Sequence, residues 1–335
     1  MREGDVVTVR DAFTVAVPAC ADESGLRETL DSLYASAARV GLPYDFVIGV
    51  NGPEAAAETP AAAVAGAGAF AAAANLEVLP VDGGTAVLPA PGEAPRVVVL
   101  RLPVRSKVAA WNAIRALVST PRIIFADADV RVGPDAMALL LACFDRDPTV
   151  TIAAAREEAT LAANDGLVAR AAALPYRFDF SNVPGRFYAL RAAGIPDPMP
   201  AHVLAEDAYL TVLVGPSRLV KDRAAVVYLR PPTTWQDYLD QRVRCEVGKL
   251  QLAREFATLS QRHGFGRYPW AAFVRAIAPR EYPLVVVSLA VRILARLRAL
   301  WEVRHGFPTG WHVLPSTKTW VPDAVPRADT GSRGH

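Results

Sequence analysis

Lysine is scarce in this 335-residue chain: Lys107, Lys221, Lys249 and Lys318 are the full set, and arginine supplies the remaining basic charge. Lysine and arginine together number 36 against 34 aspartates and glutamates, so there is no surplus positive charge to follow a nucleic-acid backbone, and no nucleic-acid partner is expected. Cys20, Cys143 and Cys245 are odd in number, far apart and outside any C-x-x-C spacing, so neither a zinc site nor a disulfide framework is indicated. A reducing, cytoplasmic location fits that usage. The opening MREGDVVTVRDAF has no apolar signal region. Long apolar runs are also lacking. The one membrane candidate, Pro283 to Leu300, is 18 residues long and carries Arg292, Arg296 and Arg298, too short and too charged for a comfortable span. Two readings of it stay open. One is an interfacial amphipathic helix, with Trp301 and the arginines at headgroup level, that holds the protein peripherally at the inner face of the cell membrane. The other is packing on the chain's own core or on a second copy, as a homodimer.

What is present organises itself around Arg122 to Val132, RIIFADADVRV. Ile123, Ile124 and Phe125 read as a buried strand running into Asp127-Ala128-Asp129. Open α/β sheets hold their ligands outside the carboxyl ends of their strands, which is where these carboxylates would stand. Two like charges so close repel and are costly to desolvate unless a cation lies between them. Asp-x-Asp at a strand end is therefore a seat for Mg²⁺ or Mn²⁺, with coordination positions left for a substrate diphosphate. The alternative is a turn in which one Asp caps the next helix.

The rest of the chain supplies a matching frame. Phe13 to Val17 is a strand that Pro18 ends; Leu26, Leu30, Leu33 and Ala37 follow at helical spacing, and Phe46 to Val50 is a second strand before Asn51. A further strand is expected at Leu76 to Val81. The Gly66 to Ala71 stretch imitates a dinucleotide fingerprint without the preceding strand or following acid that such a site needs. After the strand Val97 to Leu102, Ser106 caps a helix Lys107 to Val118, which places Lys107 in the first turn, where free N–H groups favour an anion. Met137, Leu140, Leu141 and Phe144 mark another helix. Strands are expected at Val150 to Ala155 and Phe187 to Leu190, and the Pro-rich loop Ile195 to Pro200 leads to His202 and Glu206-Asp207. Thr233 and Gln236 form a capping box for a long helix that carries Gln241, Arg242, Arg244 and Cys245. Alternating βα units up to about residue 155 favour a doubly wound sheet, with a mixed continuation to Leu229 that completes a domain over 1–230, a helical region over 231–321 and a polar, disordered tail over 322–335.

In this order the pieces resemble the family 2 glycosyltransferases of the GT-A fold. The resemblance rests on Val15-Ala16-Val17-Pro18-Ala19 with Glu23, Ser106-Lys107 with Asn112, Asp127-Ala128-Asp129, and Glu206-Asp207 followed by Gln241-Arg242-Val243-Arg244. It implies a Rossmann-like three-layer α/β/α sandwich with a helical C-terminal extension. It also implies metal-dependent, inverting transfer of one sugar from a UDP- or GDP-type donor to an acceptor hydroxyl, the acceptor being a small molecule or lipid-linked. Pro18, Ala19 and Glu23 would then contact the nucleoside and Asn51 the base, while Lys107 and Asp127 hold the nucleotide. Asp129, with Asp127, would ligate Mg²⁺ or Mn²⁺. Asp207, with Glu206 beside it, would be the general base, and Gln241, Arg242 and Arg244 match the QxxRW motif that closes over the diphosphate. The strand of Gly185 to Arg191 would lie under the acceptor.

The chain departs from the pattern at three places. Cys245 replaces the motif's tryptophan, Asn51 replaces an aspartate, and Ala21-Asp22-Glu23 stands where Asn-Glu is usual. Two other readings follow: a degenerate nucleotide-sugar-binding protein, or a phosphatase or nucleotidyltransferase that uses the same Asp-x-Asp. The latter leaves Glu206-Asp207 and the Gln-Arg-x-Arg helix without a task.

Overall fold

The computed structural model describes residues 12–20, 23–52, 75–80, 88–89, 91–92, 95–178, 183–195, 197–263, 277–307 and 314–318. The Gly66 to Ala71 stretch, Ala21-Asp22 and the tail from Pro322 lie outside them. The strands are β1 (Phe13–Cys20), β2 (Tyr44–Asn51), β3 (Asn75–Pro80), β4 (Arg96–Leu102), β5 (Arg122–Ala126), β6 (Val130–Val132), β7 (Ile152–Ala159), β8 (Phe187–Arg191) and β9 (Leu219–Leu229). The principal helices are α1 (Leu26–Ala38), α2 (Lys107–Leu117), α3 (Ala136–Arg146), α4 (Leu167–Ala173), α5 (Glu206–Val214), α6 (Trp235–Glu255), α7 (Ala257–His263) and α8 (Tyr282–Arg304).

All nine strands form one sheet in the order β3-β4-β2-β1-β5-β8-β7-β9-β6. The first five in that order are parallel, and β8 then runs antiparallel to both β5 and β7. Alternate residues face opposite ways along each strand, so the sheet carries two cores. Val15, Val17, Phe46 and Ile48 meet Leu30 and Leu33 of α1 and Leu140 of α3. On the other face Ala16, Val47, Val98 and Leu100 meet Trp111 and Ile114 of α2 and Leu210 of α5. The result is the three-layer sandwich expected from the strand and helix order.

Two local expectations are corrected. Pro18 does not end β1, which stays in register with β2 as far as Cys20 opposite Asn51. β1 pairs with β5 only from Phe13 to Ala16, so at Pro18 one side of the strand has no ladder to break, the setting in which a strand tolerates proline. The second correction is the 122–132 run, which is two strands. β5 lies in the middle of the sheet, whereas β6 crosses to its far edge and pairs with β9. Asp127 to Asp129 is the hinge between them.

The C-terminal helices pack on one another beside the sheet. Tyr238 of α6 donates from its hydroxyl to Ser288 Oγ of α8 at 3.1 Å, and Val243 and Val247 meet Ala295 and Ala299. The N-cap of α6 is Thr234, one residue after the expected Thr233. Its hydroxyl accepts from Asp237 N at 3.2 Å, and Gln236 bonds to Asp240 instead of closing a capping box. Helix α8 packs through Ser288, Val291, Ala295 and Ala299 and leaves Val286, Leu289, Ile293, Leu297 and Trp301 exposed. Among the described residues no helix is long and apolar enough to cross a membrane.

Candidate active site

Parallel strands end on the same side of a sheet, so β1, β2 and β5 bring Ala19, Asn51 and Asp127 to one rim. The Asn51 side chain is buried and bridges the strand ends: its amide donates to Ala19 O at 2.9 Å and its carbonyl accepts from the Cys20 thiol at 3.9 Å. Pro18 and Ala19 are buried in β1, and the chain turns after them through Glu23 N–H, which donates to Cys20 O at 3.1 Å.

Lys107 is the hub of the rim. Ser106 caps α2 by accepting from Ala109 N at 3.1 Å, which fixes the first turn and with it the lysine's root. The ammonium then lies against Asp127 Oδ1 at 2.6 Å, against the Glu206 carboxylate, and donates to Gly185 O at 3.2 Å. Burial disfavours its charge, but Asp127 and Glu206 outweigh that and hold its pKa above the ordinary lysine value. Two carboxylates from separate elements are thus tied to one cation, and Asp127 N–H adds a 2.8 Å bond to Arg186 O that extends the β5–β8 ladder.

Asp129 has a different partner. Lys318, from the segment 314–318, donates to Asp129 Oδ2 at 2.8 Å and to Glu23 Oε2 at 2.7 Å. Burial by itself would raise the Asp129 carboxyl, but Lys318 and Arg186 bring it down to about 2. Burial raises Glu23 in spite of Lys318. Glu23 Oε1 is buried with no hydrogen-bond partner among the described residues, which a native interior avoids unless a further ligand belongs there. Among the described residues no three His, Cys, Asp or Glu side chains converge on one point. Asp129 and Glu23 are nonetheless a hard-oxygen pair of the kind Mg²⁺ and Mn²⁺ accept, since those ions complete their shells with water and phosphate oxygens. The donor chemistry fits a divalent ion.

Glu206 and Asp207 begin α5, where the helix dipole favours acids. The loop before them is clamped twice. Asn112 exchanges two hydrogen bonds with Met199, at 2.7 and 2.8 Å, and Gln251 of α6 holds His202 O at 2.8 Å and Leu204 N at 2.9 Å. His202 itself points to solvent, its ring stacked on Phe256. Gly248 lets α6 approach: a Cβ there would stand 2.5 Å from that of Ala205. Gly185 does the same for the base candidate, since its Cβ would lie 2.9 Å from Asp207 Cβ. Among the described residues Asp207, unlike Glu206, has no ion-pair partner within contact distance, and burial followed by repulsion from Glu206 raises its pKa to about 6.

Sequence reasoning missed three members of this cluster, Arg186, Glu157 and Lys318. Arg186 pairs with Glu157 at 3.2 Å and sits close enough to Asp127 and Asp129 to stabilise both as anions. Glu157 in turn feels Arg242, which places the Gln241-Arg242 turn of α6 beside the same charges. Arg242 donates to Gln241 Oε1 at 3.2 Å, while its Nε is buried and unpartnered. Arg244 and Cys245 are half-buried on the next turn. The available signals were the charged run Arg156-Glu157-Glu158 after the apolar start of β7, and the rarity of lysine, which could have marked Lys318.

No protein-family model matches the chain, and no curated protein does. Solved structures do. The chain is similar to the mannosyltransferase PcManGT from Pyrobaculum calidifontis, in complex with GDP-Man and Mn²⁺, with 17% identity and a TM-score of 0.52 over 91% of this chain and 76% of that one. Weaker likenesses are to TarS 1-349 from S. aureus, 11% identical with a TM-score of 0.46 over 88% and 92% of the two chains, and to glucosyl-3-phosphoglycerate synthase from Mycobacterium tuberculosis, 15% identical with a TM-score of 0.44 over 76% and 85%. The three-layer sheet, with its acids gathered at the ends of the parallel strands, has the GT-A fold of nucleotide-sugar glycosyltransferases.

Proposed function

We propose that this protein transfers one glycosyl group from a UDP- or GDP-type sugar to an acceptor hydroxyl with inversion at the anomeric carbon. The observation that carries the reading is the division of labour between neighbouring acids: Glu206 and Asp127 share the Lys107 ammonium as direct ion-pair partners, whereas Asp207 feels that charge only at a distance and makes no direct ion pair among the described residues.

An alcohol is too weak a nucleophile at neutral pH and needs a carboxylate to take its proton as it attacks. Asp207 suits that role, because a base titrating near pH 6 is ionised at pH 7 and still basic enough to accept. Departure of the nucleoside diphosphate builds negative charge on the opposite side of the sugar. Lys107 and Arg242 stand ready for that charge, and the unpartnered Nε of Arg242 is a buried donor for a phosphate oxygen. Asp129 and Glu23 would hold the Mg²⁺ or Mn²⁺, which when bound supplies further charge to offset the leaving group. Asn51, Pro18 and Ala19 form the rim on which the nucleoside would rest.

The acceptor is a small molecule or a lipid-linked one, and the exposed apolar face of α8 supports the second. Five large apolar side chains in a row on a helix that also carries arginines suit the surface of a bilayer. Flotation with anionic liposomes tests this part, and protein left wholly in the bottom fraction rejects it. The activity is tested by a melting panel of nucleoside diphosphates with and without Mn²⁺, followed by release of nucleoside diphosphate from the matching sugar donor. Ligands that bind the folded state raise its melting point. If no nucleoside diphosphate raises it, the donor reading fails.

A further inference from the structure

Lys318 is the feature that the reaction above does not use. It lies in the described residues 314–318, far in sequence from every other member of the site, and its ammonium is mostly buried between Asp129 and Glu23. The piece is anchored well away from the acids. Ser316 N donates to Asp237 Oδ2 at 2.9 Å, Ser316 Oγ accepts from Thr233 N at 3.1 Å, and Thr317 closes the turn through Leu314 O. These anchors sit at the start of α6, one to two turns before Gln241 and Arg242. The strap therefore links the helix that carries the arginines to the acids at the end of β5.

We infer that Lys318 is a tethered cation that occupies the seat of the divalent ion, so that the strap 314–318 competes with the metal and must lift before a metal–donor complex can load. This inference rests on the reading of Asp129 and Glu23 as the metal's protein ligands. Three observations support it. The ammonium touches both acids in the pair a hard divalent ion would use. The second oxygen of Glu23 is left unpartnered, so one ammonium satisfies the site incompletely, whereas an ion of higher coordination could engage it. Among the described residues two hydrogen bonds from Ser316 hold the strap to the start of α6, besides the contacts of Lys318 and the buried Leu314 and Thr317, so its release is a local opening and not an unfolding. Because a tethered group needs no encounter from solution, it stays bound at metal concentrations where a free amine could not compete. The same contact prevents Asp129 and Glu23 from repelling one another while no donor is present.

The test is Mn²⁺ binding by the full chain without nucleotide, read by the loss of the free-ion electron paramagnetic resonance signal. If the strap fills the seat about nine-tenths of the time, removing it tightens apparent Mn²⁺ affinity about ten-fold. Lys318→Met is expected to show that gain. Asp237→Ala, which frees the strap but leaves lysine and acids intact, is expected to show part of it. Hydrogen exchange supplies a second readout: Mn²⁺ with a nucleoside diphosphate should speed exchange at the amides of Ser316 and Thr317. A folded Lys318→Met protein that binds Mn²⁺ no tighter than the parent overturns the inference and leaves the metal reading standing. Mn²⁺ binding that is absent in all variants, or unchanged in Asp129→Asn, overturns the metal reading and the inference with it.

Discussion

Lys107→Met should remove the cation that holds Asp127 and Glu206 together and leave two desolvated carboxylates facing one another. The size of the loss follows from burial. Glu206 is 7% exposed and the Lys107 side chain 36%, so the pair is neither fully buried nor a surface bridge. Breaking a buried pair from one side costs about 3–5 kcal/mol, and solvent access to the lysine brings the expectation to roughly 3 kcal/mol. The cost comes from the stranded acids and not from the lysine, so removing Glu206 as well should relieve part of it. We expect Lys107→Met with Glu206→Leu to be no less stable than Lys107→Met alone, a coupling of about 2 kcal/mol in a double-mutant cycle. The assay is equilibrium urea unfolding of the parent, both single variants and the pair, with matched slopes confirming that the unfolding reaction is unchanged. Strictly additive losses, or a Lys107→Met protein within about 0.5 kcal/mol of the parent, would refute the reasoning. Glu206 would then be placed by packing and not by charge.

Asp207→Asn is expected to abolish transfer while donor nucleotide affinity changes by no more than a few-fold, measured by calorimetry beside a turnover assay. The base must be ionised to act, and burial raises its pKa to about 6, so kcat/KM should fall as pH drops below about 6 and level above it. Protonation also relieves the cost of burying that charge. A folded pKa above the unfolded one therefore means Asp207 itself favours folding more as pH falls from about 6 towards its unfolded value. Gly185→Ala should displace Asp207, because the new Cβ would stand 2.9 Å from that of the aspartate, and kcat should drop at least ten-fold with the nucleotide's Kd little changed. Arg230→Met should cost about 3 kcal/mol or more in urea unfolding, because Arg230 and Asp165 are both buried and pair through two hydrogen bonds.

Much of this molecule was legible in its amino-acid order, because local signals and burial agree there. The strand beginning at Phe13, the strand around Phe46 to Val50, the Ser106 cap and the Gln241-Arg242 helix all appear where periodicity put them, although β1 runs three residues past Val17. Errors fell where a residue's meaning depends on a strand's neighbours. Pro18 stays in β1 because β5 has already diverged, and Val130 to Val132 leaves β5 because β9 offers a ladder elsewhere.

Sequence alone determined that acids would collect at the ends of parallel strands, since apolar runs fill the strands' interior and the acids that follow them need a cation or solvent beside them. Only the tertiary structure decided which acid meets which cation. Glu206 and Asp207 are neighbours with the same chemistry, and nothing local distinguishes them. One reaches Lys107 and the other lies beside Gly185, because α5 starts at one particular angle beneath two clamped loop residues. Lys318, 189 positions from Asp129, was beyond any local rule. Coulombic pairing depends on distance in space, and that distance is set by packing contacts which no short stretch of chain contains.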